Sequence, residues 1–155
     1  MPKRRVCFDT ETFHYHNQNP KNRITGDCMY RALSTALDIP YNDVVMEVAV
    51  KRCETGYSGS KLIDLYLKSK GWVKQKQPRK YDNTKFTGKE FCEYLQRYLG
   101  EPDTKGLMDD EGIMIENQIV ANIGGNHIVA IIDGKVWDIW NSTDGCIGNY
   151  WVKAR

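Results

Sequence analysis

Five cysteines and three histidines carry most of the nucleophilic and general-base capacity of this chain. Cys28, in the stretch RITGDCMYRALSTALDI, has the setting that most favours chemistry. A thiol reacts as its thiolate, and the free N–H groups and dipole at a helix start favour that anion. Met29, Ala32, Leu33, Ala36 and Leu37 recur at helical spacing, which predicts a helix with Cys28 in its first turn, at the edge of the apolar stripe. The competing reading is a small buried cysteine that packs as a hydrophobe. Cys53, Cys92 and Cys146 take that reading and are expected to be buried or partly buried structural residues.

A nucleophilic cysteine needs a histidine base. His14 and His16 lie in the polar segment ahead of Cys28, and His127 opens the apolar run NHIVAII. The stretch NHIVAIIDGKVWDIW reads as a hairpin turning at Asp133-Gly134. Ile132 then pairs with Lys135, and His127, Val129, Asp138 and Trp140 share one face. Asp138 becomes the diagonal neighbour of His127, where a carboxylate fixes the imidazole tautomer and stabilises the imidazolium. A slip of one residue at the turn abolishes this arrangement. An oxyanion hole would take the Cys28 backbone N–H and an upstream side-chain amide, for which Asn22, Asn17, Gln18 and Asn19 are candidates. Each also reads as an ordinary loop asparagine or glutamine.

The elements that must position these residues follow from periodicity. Residues 1–21 form a partly irregular, polar N-terminal segment, with turn formers continuing to residue 25. Thr25 to Asp27 supply cap-type residues for the Cys28 helix, and Pro40 ends it. YNDVVMEVAVKRC and KLIDLYLKSKG predict two further helices, the second stopped by Gly71. Residues 72–86 read as a surface connection. Thr87 and Glu90 are spaced as a capping box that opens a fourth helix closing on Gly100. Beyond residue 100 the runs GIMIENQIVANI, NHIVAII, KVWDIW and GNYWVK are short and rich in β-branched and aromatic residues. Helices first and strands last predict one α+β domain over residues 1–155, with an antiparallel sheet in its C-terminal third. The late aromatics Trp137, Tyr150 and Trp151 are expected in the core, and Trp140 beside His127 in a cleft.

The pieces NPKNRITGDCMYRAL, NHIVAIIDGKVWDIWNST and CIGNYWVK resemble the papain-like cysteine peptidases, and within them a group of small phage and prophage proteins of Gram-positive bacteria. GDCMYRAL is also similar to the cysteine motif of the ovarian-tumour deubiquitinases, whose histidine segment this chain does not follow. The resemblance covers residues 19–53 and 113–153 and implies a papain-like fold with the triad Cys28, His127 and Asp138. It implies an oxyanion amide six residues before the cysteine. Asn22 stands there in place of the usual glutamine, with Asn19 as the alternative. Asp27, directly before Cys28, would oppose the thiolate, cap the helix or orient a substrate amine in the cleft.

These readings converge on a thiol hydrolase that cleaves a peptide, isopeptide or amide bond, with a protein or peptide substrate, a host bacterial protein among the candidates. The alternative is a catalytically weak papain-like module that binds or inhibits a host protein. A third reading takes FDTET, with Asp9 and Glu11, as the first acidic motif of a metal-dependent exonuclease, but a polar loop and a helix follow in place of the sheet that such a site requires. No C-x-x-C pair suggests structural zinc, and neither metal nor cofactor is expected. A net charge of +2 gives no basic surface for nucleic acid; Lys3-Arg4-Arg5 reads as a solvated tail. An odd cysteine count without a secretory signal fits a reducing cytoplasm, and no apolar run approaches a membrane span.

Overall fold

The computed structural model describes residues 8–101 and 106–154; Lys3-Arg4-Arg5 and Cys7 lie outside the described residues. The chain is α+β. Its elements run β1 (Phe13–Tyr15), α1 (Cys28–Leu37), α2 (Tyr41–Thr55), α3 (Gly59–Ser69), β2 (Trp72–Gln75), α4 (Gly88–Leu99), β3 (Gln118–Ile123), β4 (His127–Ile132), β5 (Lys135–Asp138) and β6 (Ile147–Lys153).

All six strands belong to one sheet of order β1-β5-β4-β3-β6-β2. Alternation along the central strands feeds two cores. Val120 of β3, Ile128 and Ala130 of β4 and Trp151 of β6 pack with Leu33 of α1, Val44 and Val48 of α2, and Leu62 and Leu67 of α3. Ile119, Ala121 and Ile123, Val129 and Ile131, and Val136 of β5 pack with Phe91, Cys92 and Leu95 of α4. Runs such as HIVAII are apolar at nearly every position because both faces of the sheet are covered.

Two expectations are corrected at the sheet edges. The sheet is mixed, and it is not confined to the C-terminal third. β1, inside the segment expected to be irregular, pairs in parallel with β5. β2, inside the expected surface connection, pairs antiparallel with β6. Three or four residues show too little periodicity to declare a strand. What makes them strands is the unpaired backbone of β5 and β6 beside them.

The helix signals are met in detail. Thr87 accepts from the Glu90 backbone and Glu90 answers to the Thr87 backbone, closing the capping box of α4. α1 ends at Asp38 in the left-handed conformation, ahead of Pro40. The start of α1 differs from expectation: Asp27 is the N-cap residue, but its side chain makes no capping hydrogen bond. Its carboxylate is taken up elsewhere.

Candidate active site

The hairpin of β4 and β5 has the register that its turn residues dictate. Asp133 and Gly134 both have positive φ, 50° and 75°, as a type I′ turn requires. Ile132 pairs with Lys135, Ile131 with Val136 and Ala130 with Trp137. Continued to the strand ends, this register brings His127 and Asp138 together, and His127 Nε2 donates to Asp138 Oδ2 at 2.5 Å. Asp138 is further fixed from two sides. Its Oδ1 accepts from the Ile139 backbone at 2.7 Å, and its carbonyl accepts from the His16 backbone just past β1 at 2.9 Å.

Helix α1 lies against β4 and sets Cys28 beside His127. The histidine ring hydrogen-bonds the thiol, and the Ile128 backbone N–H donates to the sulfur. With Nε2 turned to Asp138, Nδ1 is the ring nitrogen that serves Cys28. The hydrogen bond from His127 is the main reason that the thiol sits below its ordinary value of 9.0; burial acts against it, and Ile128 N–H and the Arg31 charge reinforce it. Burial by itself would lower His127, but its hydrogen bonds to Asp138 and Cys28 outweigh burial and raise it to about 9. Both shifts run toward the same state, a thiolate beside an imidazolium. The His127 side chain is 17% exposed and that of Asp138 3%, so little water competes for their hydrogen bond. The Trp140 ring lies 4.8 Å from the His127 ring, centre to centre, and covers it as its place on the same face anticipated.

The upstream residues divide. Asn19 Nδ2 donates to Asp27 Oδ2 at 3.0 Å, so this amide serves the interior. Asn22 is exposed in the left-handed conformation with φ 53°, its backbone N–H bonded to the Asn19 carbonyl. Asp27 is buried and also accepts from Tyr41 Oη of α2 at 2.7 Å and Arg31 Nε at 2.7 Å, so it is a structural carboxylate and not part of a cleft. Burial would raise Asp27, but the hydrogen bonds from Arg31, Tyr41 and Asn19 prevail and hold it below 3.8.

His14 and His16 do not join Cys28. His14 Nδ1 donates to Asp9 Oδ2 at 2.7 Å, His16 bonds Gln18, and both rings pack on Trp137. Asp9 is thereby engaged in a local turn, and no group of three or more His, Cys, Asp or Glu among the described residues could hold a metal ion. Cys92 is buried as expected, but Cys53 and Cys146 are exposed. Cys53 falls on the outer side of α2, and Cys146 in the loop before β6. Both are corrections to a reading that took residue type for location. Tyr150 and Trp151 are core residues, whereas Trp137 is only partly buried.

Sequence reasoning missed Arg31. It is buried on α1, three residues after Cys28, and its Nη1 donates to Asp138 Oδ1. The i, i+4 spacing of Asp27 and Arg31 was the available signal. No protein-family model, curated protein or solved structure matches this chain.

Proposed function

We propose that the protein is a thiol hydrolase of papain-like layout, acting on a peptide, isopeptide or amide carbonyl. The observation that carries this reading is the continuous hydrogen-bonded chain Cys28–His127–Asp138, built from a helix start and two adjacent strands. Cys28 attacks the carbonyl carbon as thiolate. The tetrahedral oxyanion is held by N–H groups of the uncapped first turn of α1, that of Cys28 among them, and the side-chain amide candidate is Asn22, exposed in the loop ahead of α1. His127 gives its proton to the leaving amine, leaving a thioester. Water then loses a proton to His127, adds to the thioester and releases the acid, and the proton returns the pair to its starting state. Asp138 holds the imidazole orientation throughout.

The test is alkylation of the folded chain by dilute iodoacetamide at pH 7, read by peptide mass, beside the His127→Ala variant. Cys28 is expected to label ahead of the exposed Cys53 and Cys146, and loss of His127 to slow it about 100-fold or more. Exposed thiols labelling as fast as Cys28, or indifference to His127, would overturn the reading and leave a binding module built on the same scaffold.

A further inference from the structure

Arg31 links the two halves of the site through one guanidinium. Nη1 reaches Asp138 on β5, and Nε reaches Asp27 at the root of the nucleophile helix at 2.7 Å. The Arg31 side chain is 6% exposed. A buried ion pair is a poor way to join a helix to a strand, since apolar packing of similar volume serves as well or better. This one falls on the same carboxylate that orients His127, and on its other oxygen. With Oδ1 taken by Arg31 and Ile139 N–H, Oδ2 is the oxygen that His127 meets.

We propose that Arg31 is a positioning residue of the Cys28–His127–Asp138 relay: it sets the distance between α1 and β5 and aims the Asp138 carboxylate at His127. This rests on the thiol-hydrolase reading. The charged and titratable groups around it are Asp27 at the cap and Cys28 in the first turn of its own helix, Tyr41 from α2, Asp138 from β5, and, through Asp138, His127 from β4. Asp27 is saturated by Asn19, Tyr41 and Arg31, so it acts as the fixed anchor of the guanidinium. A lysine supplies the charge but not the two-pronged geometry.

The test follows Cys28 alkylation against pH in the full chain, in wild type, Arg31→Lys and Arg31→Gln, with folding checked by circular dichroism. Folded Arg31→Gln should label roughly tenfold more slowly at pH 7. Its labelling midpoint should move upward, because a cation near the thiolate is gone, and Arg31→Lys should fall between it and wild type. A folded Arg31→Gln with lowered melting temperature but wild-type rate and midpoint would make Arg31 a brace only and overturn the inference. Should neither variant fold, the unmodified chain still decides. The Arg31 guanidinium ¹⁵N resonances should move with the His127 titration near pH 9, and resonances that ignore it would overturn the inference. Wild-type Cys28 labelling no faster than Cys53 is a separate failure: it removes the thiol-hydrolase reading and this inference with it.

Discussion

The reactive state of Cys28 depends on a single proton held by His127. Hydrogen bonding to the thiol and to Asp138 keeps that proton on the imidazole up to about pH 9, while the same contact holds the thiol below its ordinary range. The proposed hydrolysis needs the proton for the leaving amine. The rate against pH should therefore rise through the depressed Cys28 value and fall as pH passes about 9, where the imidazolium is lost. A bell-shaped profile of kcat/KM whose basic limb lies near 9 is the expected result, and a limb near the ordinary histidine value of 6.5 would deny the hydrogen-bonded chain its role. Asp138→Asn keeps the shape of the side chain but removes its charge and allows the wrong imidazole tautomer. The expected loss is on the order of 10²- to 10⁴-fold in kcat, with a lowered melting temperature as well, because the buried Arg31 loses a counter-charge.

At the scale of elements, the site is a matter of register. The His127–Asp138 contact exists because β4 and β5 turn at Asp133-Gly134 and pair without slip. Gly134 is doubly constrained. Its φ is +75°, and a Cβ there would lie 2.5 Å from Gln96 Cγ and 3.2 Å from the Cys92 carbonyl, both on α4. Gly134→Ala should cost about 2 kcal/mol or more from backbone strain and crowding together, read as a lower denaturant midpoint. It should also slow Cys28 alkylation, because relief of the crowding shifts the hairpin that carries His127 and Asp138. A variant of wild-type stability would show that α4 yields at no cost. The capping box of α4 and the end of α1 ahead of Pro40 were legible because they depend on residues within a few positions of each other. β1 and β2 were not, because each is made a strand by a partner far along the chain: β1 by β5 and β2 by β6.

Across the whole molecule, two cores on opposite faces of one sheet carry the fold, and one buried network of charges crosses it at the site. That network sets an acid limit. Asp27 is held below its ordinary value in the folded chain, against its own burial, by Arg31, Tyr41 and Asn19. Its contribution to stability is therefore complete above the unfolded carboxyl value of about 3.9 and is lost as pH falls through the lower folded value. Melting temperature measured from pH 6 to pH 2 should fall on this limb, and Asp27→Asn should melt lower at pH 6 with a shallower acid dependence. An unchanged slope would assign the acid limb to other carboxylates.

Local rules were enough to determine the four helices, the β4–β5 register and with it the pairing of His127 with Asp138. Each of these rests on a period, a cap or a turn whose causes lie within a short stretch of chain. The tertiary structure alone decided which face each exposed or buried cysteine took, which amide served Asp27, and that Arg31 would bridge α1 to Asp138 of β5. Those outcomes depend on what lies opposite a side chain across a packed interface. Arg31 and Asp138, 107 residues apart, meet only after α1 has settled on the sheet.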